Sequence, residues 1–202
     1  MASSLAWALP GPWAMAAADV SIDSLDERAL VTECLAGRAG AFDLIVERHR
    51  RSVYQLCYRF VGNHEDASDL SQDVFVRAYR GLRNFRAQSS LATWLYRIGV
   101  NVCLNRVSGK TLQSEPIAER QFVDVQAVSP AERMLKAERG ARVRATIARL
   151  PRKQRATLIL RMYHEMSHQE IADVLGSSVG AVKANFFHAL GNLKKLLGEE
   201  AP

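Results

Sequence analysis

The stretch from Phe42 to Phe60 narrows most sharply what this chain can become. Phe42, Ile45, Val46, His49, Val53, Leu56, Cys57 and Phe60 recur at three- and four-residue steps. That spacing lays them along one stripe of a long helix and does not fit the two-residue period of a half-buried strand. A helix with one apolar stripe must bury it against other elements, so partners of the same kind are expected nearby. Gly62-Asn63 closes the helix, and a second pattern runs from about Glu65 to Leu82, with Leu70, Val74, Ala78 and Leu82 facing inward. After a break at Asn84–Ser90, Leu91, Leu95, Ile98 and Val102 mark another helix ending near Ser108-Gly109. No alternating strand pattern intervenes, so residues 26–109 read as an all-helical domain of about four helices.

Residues 110–129 have weak periodicity, mixed polarity and a proline near each end, which reads as a linker. A second helical domain, 130–202, opens where Ser129 can cap and Pro130 suits a first helical turn. Its first helix runs to about Arg149, Leu150-Pro151 restarts a second, and the residues after His164 supply two more. The fold class is therefore all-α, two small helical domains joined by a linker.

The N-terminal 1–25 read as a disordered extension. The segment is apolar at first but has no basic residue before Arg28, and Pro10-Gly11-Pro12 interrupts it. It makes a poor signal peptide and is too short for a membrane span; Met15 is an alternative to Met1 as the start. Cys34, Cys57 and Cys103 are scattered within helical patterns, as reduced thiols in a cytoplasmic protein would be, not as a disulfide framework or zinc knuckle. The formal charge is +6, concentrated in two blocks, roughly 28–110 and 131–202, with a slightly acidic spacer. Two basic blocks suit two contacts with one polyanion, although such charge also occurs as plain solvated surface.

His164 to His168 spells H-E-x-x-H, the pattern by which two histidines one turn apart on a continuous helix hold zinc while the glutamate activates water. Ser167, however, is followed three residues later by Glu170, just ahead of apolar Ile171, Val174 and Leu175. That is a capping box, and it starts a helix between the two histidines. With no third ligand in a recognisable context, a zinc protease is disfavoured. No catalytic residue, metal or cofactor is expected.

Ala172, Gly176 and Val182 instead have the spacing of a helix-turn-helix: a small residue where two helices cross, a glycine for the turn, and an apolar anchor beyond it. Ser177 and Ser178 can cap the second helix, whose buried stripe is expected to be Val179, Val182, Phe186, Leu190 and Leu193. Lys183, Ala184, Asn185, Phe187 and His188 then point outward, where Lys183 and Asn185 can reach base edges and the capping hydroxyls can hold phosphate. Arg152, Lys153, Arg155, Lys194 and Lys195 would add salt-sensitive phosphate contacts. The plainer alternative is an ordinary helical hairpin with a basic face.

The first domain carries two further concentrations. HEDASDLSQDVFVRAYRGL sets Asp66, Asp69 and Asp73, with Gln72 and Arg77, along the outward side of an apolar helix. An acidic stripe in a basic domain opposes DNA locally and reads as a protein-docking face, against the alternative of ordinary helix solvation. NFRAQSSLATWLYRIGVNVCLNRV joins a polar loop to a helix bearing Trp94, Tyr96, Arg97, Asn101 and Arg106. Rings for stacking, arginines for the backbone and a small polar loop suit an unstacked single strand, although Trp94 also fits a core.

DLSQDVFVRAYRGLRNFRAQSSLATWLYRIGVNVCLNRV resembles region 2 of the extracytoplasmic-function (group 4) sigma factors of bacterial RNA polymerase, and LPRKQRATLILRMYHEMSHQEIADVLGSSVGAVKANFFHALGNLKKLL resembles their region 4. The likeness spans about Asp26 to Leu197, in the family's order. It implies a transcription-initiation factor with no small-molecule substrate. Asp66, Asp69, Gln72, Asp73 and Arg77 would dock on the β′ clamp helices of core polymerase, with region 4 near the β flap. Phe85, Arg86, Gln88, Ser89 and Ser90 would capture a base flipped from the −10 element, helped by Trp94, Arg97, Asn101 and Arg106. Ser177, Ser178, Lys183, Asn185, Phe187 and His188 would read the −35 duplex. The linker would thread toward the active-site channel, and an anti-sigma factor, often membrane-bound, would hold the protein inactive. Ala184, Asn185 and His188 depart from the serine and arginines common in the family's recognition helix, so no particular −35 sequence transfers. The rival binding-class reading is a helix-turn-helix regulator that binds duplex DNA without acting as a sigma subunit.

Overall fold

A computed structural model describes residues 22–109 and 129–199. The expected linker, apart from Ser129, and most of the expected N-terminal extension lie outside these residues. Every regular element described is helical: α1 Glu27–Leu35, α2 Ala41–Val61, α3 His64–Gly81, α4 Leu91–Gly109, α5 Pro130–Ala148, α6 Arg152–Tyr163, α7 His168–Leu175 and α8 Val179–Glu199. Short 3-10 turns occupy Ile22–Ser24 and Leu82–Asn84. No helix among the described residues is long and apolar enough to cross a membrane.

The packing divides the chain after Ile45. In the first unit, Asp26 caps α1 by accepting from the Ala29 N–H at 2.7 Å, and Leu30 and Val31 are its buried residues. From Val46 onward the chain packs as a single unit.

In that second unit, α2 buries His49, Val53, Leu56, Cys57 and Phe60, five of the positions in the stripe expected from the sequence. Asn63 caps α3 through the Asp66 N–H, and α3 lays Ala67, Leu70, Val74 and Ala78 into the same core. Each large side chain so enclosed contributes roughly 1.5–3 kcal/mol. Close approach of α4 depends on Gly99, where an added Cβ would come within 2.7 Å of Leu56 Cδ2. Helix α4 buries Leu91, Leu95 and Val102, but also Thr93, Val100 and Cys103. These wrap more than one face because α3 packs against one side of the helix and α7 also packs on it.

The remaining helices follow their end signals. Ser129 and Glu132 form a capping box with Pro130 at the first position of α5. Ser167 and Glu170 form another at α7, the Glu170 N–H donating to Ser167 Oγ at 3.2 Å and the Ser167 N–H to Glu170 Oε2 at 2.8 Å. These hydrogen bonds hold the Glu170 carboxyl below its usual range. Helix α6 is buried continuously from Arg155 to Leu160, being packed against α7, α8 and Phe60 of α2.

Candidate nucleic-acid interface

The turn between α7 and α8 is built by Gly176, which takes the left-handed conformation at φ 57°. There the Ser177 N–H returns to the Ala172 carbonyl at 3.0 Å and closes the end of α7. Ser178 caps α8 by accepting from the Ala181 N–H at 3.2 Å. Ser177 does not: its hydroxyl is buried and has no hydrogen-bond partner among the described residues. Val182 is fully buried, as expected of the anchor, and Lys183, Ala184, Phe187 and His188 are exposed, with Asn185 half-buried. Phe187 stands out at 74% exposure, its ring edge-on to His188 at 5.9 Å.

Two expectations for this half need correction. Leu190 is exposed and Ala189 is fully buried, so the inward stripe passes through Val182, Phe186, Ala189 and Leu193. The small alanine takes the inward position on α8, and the leucine is turned outward. Arg155 is not a surface phosphate ligand either. It is 5% exposed and donates to the carbonyls of Phe60 and Ala148, with its guanidinium over the Phe60 ring. Arg152, Lys153, Lys194 and Lys195 remain exposed, although Arg152 also donates to the Leu104 carbonyl at 3.0 Å.

The two histidines of H-E-x-x-H are separated as the capping box implies. His164 follows the end of α6, half-buried, with its ring 4.8 Å from that of Tyr96 and Nδ1 3.2 Å from the Tyr96 hydroxyl. Burial, with Arg59 nearby, holds its pKa down to about 4. His168 begins α7 and meets Phe186 edge-on at 6.1 Å. Glu165, between them, has φ 53°, which breaks the helical path.

In the other half, the loop after α3 encloses an open hollow of about 330 Å³ lined by Asn84, Phe85, Arg86, Gln88, Ser89, Trp94 and Arg97, with Asp173 of α7 as its far wall. Trp94 serves both roles weighed from the sequence. Its ring packs 5.3 Å from Phe85 and lies 3.5 Å from a Cβ placed on Gly81, yet it also lines the hollow. Ala87 holds φ 52° at the apex of the loop, a conformation that costs a residue with a side chain and shapes the bend. Ser90 is committed elsewhere: its hydroxyl caps α4, bonding the Thr93 hydroxyl at 2.8 Å and accepting from the Thr93 N–H at 3.1 Å. Asn101 is exposed. Arg97 donates to the Asp173 carbonyl at 2.6 Å.

The acidic face divides in two. Asp66 accepts from Arg106 at 2.6 Å and from Asn63 at 2.9 Å, so this acid and this arginine tie α3 to α4. Asp73 pairs with Arg77 one turn on, at 2.9 Å, both largely exposed. Asp69 and Gln72 are exposed and continue into Val76 and Tyr79, which are 47% and 65% exposed. Sequence reasoning passed over these two apolar residues. Their signal was the step Asp69, Gln72, Val76, Tyr79, which puts them on the polar face and away from the buried stripe.

Comparison with known proteins adds a second line of observation. Residues 45–112 match the family model of Sigma-70 region 2, and residues 140–193 that of Sigma-70, region 4. The chain is similar to the RNA polymerase sigma-H factor of Pseudomonas aeruginosa, with 34% identity over 180 residues, 85% of this chain and 93% of that protein. It is also similar to the ECF RNA polymerase sigma factor SigW of Bacillus subtilis, with 31% identity over 170 residues, 80% of this chain and 91% of that one. Among solved structures it resembles CnrH, determined in complex with the cytosolic domain of CnrY, at TM-score 0.64 and 29% identity, covering 87% of this chain and 99% of that one. The fold is shared with the sigma factor RpoE of Bartonella quintana, determined in complex with the anti-sigma factor NepR, at TM-score 0.60 and 19% identity over 81% of this chain and all of that one.

Proposed function

The chain belongs to the extracytoplasmic-function sigma factors of bacterial RNA polymerase, and from that membership we propose how its residues divide the work of initiation. Residues 26–109 dock on the β′ clamp helices of core polymerase through the exposed face of α3. Asp69, Gln72, Asp73 and Arg77 provide the polar contacts, and Val76 and Tyr79 the apolar ones. Asp66 supports that face from behind by holding Arg106.

The same domain captures a base of the −10 element in the hollow after α3. Phe85 and Trp94 supply ring surface, Gln88 and Ser89 supply hydrogen-bonding groups, and Arg86 and Arg97 face the sugar–phosphate backbone. Ser90 contributes by fixing the start of α4, and Asn101 lies further along the same helix.

Residues 130–202 read the −35 duplex. Ser178 and the free N–H groups of the first turn of α8 meet phosphate, while Lys183, Asn185, Phe187 and His188 reach the major groove. Ser177 acts from within the turn and not at the DNA surface. Residues 110–129 connect the halves along the polymerase, toward its active-site channel.

Melting then requires no hydrolysis. A protein that binds the opened strand better than the closed duplex shifts the equilibrium toward opening, and the polymerase supplies the spacing that makes the two DNA contacts reinforce each other. On this reading the protein is not an enzyme, works in the cytoplasm beside core polymerase, and needs no cofactor. An anti-sigma factor is a partner, supported by the two structural relatives: RpoE was determined with an anti-sigma factor and CnrH with a cytosolic domain of CnrY.

The observation that carries this reading is the pairing of a single-strand-sized hollow with a capped helix-turn-helix on one chain. The rival reading, a regulator that binds duplex DNA alone, needs no polymerase. Sizing chromatography with purified core polymerase separates them. The chain should co-elute with core, and Asp69→Lys combined with Gln72→Lys should abolish co-elution while leaving helix content unchanged. A chain that never associates with core is a free DNA-binding regulator.

A further inference from the structure

The middle of the outward side of α8 is apolar. At about 3.6 residues per turn, the buried Val182 and Ala189 set the inward direction of the helix, and Ala184 and Phe187 then stand opposite them. Both are exposed, Phe187 at 74%. Lys183 lies on one flank of that line and His188 on the other, both exposed, while the half-buried Asn185 comes to it from the side. Gly180, one turn before Ala184, is exposed and adds no side chain. Phe187 is therefore the first group larger than a methyl to project from the middle of this face. The His188 ring stands edge-on to it, with centroids 5.9 Å apart.

That composition restricts what the face can read. Neither Ala184 nor Phe187 has a side-chain hydrogen-bond donor or acceptor. In the major groove guanine presents two acceptors, cytosine an amino donor, adenine one of each, and thymine an acceptor beside its 5-methyl group. A phenyl ring set against guanine or cytosine takes water from their polar groups and returns no hydrogen bond, which costs free energy. Against thymine it covers the one apolar feature that a base pair offers there. Asn185 suits the same pairs, since its amide complements the donor and acceptor of adenine.

The surrounding charge identifies the occupant as a polyanion. Lys183 flanks the ring, Lys194 follows it two turns on along the same side, and Lys153 is exposed at the start of α6. Helix α8 carries no acidic residue before Glu199. A second copy of the chain seated on this ring would bring lysine against lysine, whereas a DNA groove is walled by phosphates.

We propose that Phe187, with Ala184 beside it, selects thymine in the −35 duplex by burying 5-methyl groups, so that the centre of this protein's −35 element is read as A·T pairs. This rests on the −35 reading of α8 given above and names what that helix recognises. Each methyl group so covered changes binding roughly fourfold.

Methyl removal tests it on the full chain. Duplexes with a randomised segment are selected by the chain bound to core polymerase and, in parallel, by the chain alone. The enriched duplex is remade with deoxyuridine replacing, in turn, each thymine of its upstream double-stranded element, a change that deletes the methyl and keeps the base pair. Affinities are measured for wild type, Phe187→Ala and Phe187→Leu; the ring is exposed, so its loss leaves the core of the domain intact. Wild type should bind roughly fourfold more weakly when a methyl under the ring is removed. Phe187→Ala should bind the thymine duplex more weakly and be indifferent to deoxyuridine at that position, with Phe187→Leu between the two. Equal binding of thymine and deoxyuridine duplexes by wild type would overturn the assignment, as would the same loss in Phe187→Ala. Self-association of the chain that Phe187→Ala abolishes would give the ring to a second copy and overturn it too. Enrichment by the chain alone to which core polymerase adds nothing would instead count against the sigma reading, and the methyl comparison would still be read on those duplexes.

Discussion

The turn of the helix-turn-helix makes a sharp energetic prediction, since one chemical change should have opposite signs at two glycines of the same domain. At Gly176, φ is 57°, and an added Cβ would meet nothing within 4 Å. Gly176→Ala therefore creates no clash, and its whole effect is conformational. The left-handed backbone costs a residue with a Cβ roughly 1–2 kcal/mol, partly offset by about 0.4–1 kcal/mol from the lower entropy of the unfolded chain. The net expectation is a loss of about 1 kcal/mol. Gly191, in the interior of α8 and exposed, likewise has open space around a Cβ. There alanine relieves the helix of its poorest non-proline former, a gain of about 1 kcal/mol. Thermal unfolding of the two variants beside wild type should shift in opposite directions by about 2–4 °C each. Duplex binding should weaken only for Gly176→Ala, because that turn sets the angle between α7 and α8. Shifts of the same sign would refute the reasoning, as would a Gly176→Ala protein no less stable than wild type.

Other perturbations separate the remaining claims. His164 is held from its ordinary 6.5 down to about 4 by burial and by Arg59, so the folded state keeps it neutral. An unfolded chain protonates it near its ordinary value. Its contribution is therefore intact above that value and lost as pH falls toward the folded one, by about 3 kcal/mol in all. Urea midpoints measured down the acid limb should flatten in His164→Gln, and an unchanged slope would dismiss the histidine as the cause. Ser167→Ala should cost about 1 kcal/mol by removing the cap of α7, and Ser167→Asp should restore most of it; equal losses in both would mean the cap is not what holds that end. Lys183→Ala should reduce the slope of log K against log salt for duplex binding by about 1 if it contacts phosphate. Weaker binding with an unchanged slope would assign it to a base edge.

What was legible from sequence was mostly what local chemistry decides. The apolar period of α2, the serine–glutamate boxes at α5 and α7, and the glycine of the recognition turn each fix a boundary within a few residues of chain. What was not legible came from partners distant in sequence. Asp66 and Arg106 stand 40 residues apart, and each looked like a surface contact until their ion pair was seen. Arg155 read as a phosphate ligand because nothing local marks a residue whose guanidinium packs over the Phe60 ring, 95 residues earlier. Leu190 was expected in the buried stripe of α8, yet Ala189 is the residue turned inward and Leu190 is exposed. Val76 and Tyr79 were overlooked because apolar residues on an outward face look like noise when only charges are followed.

The central claim is that this chain gives core polymerase a promoter specificity it otherwise lacks. The most direct test is in vitro transcription of a pool of genomic fragments by purified core polymerase, with and without the chain, followed by sequencing of the RNA 5′ ends. The account predicts chain-dependent start sites whose upstream DNA shares two separated sequence elements, and their loss in the Asp69→Lys, Gln72→Lys protein. RNA 5′ ends that are the same with and without the chain would contradict it.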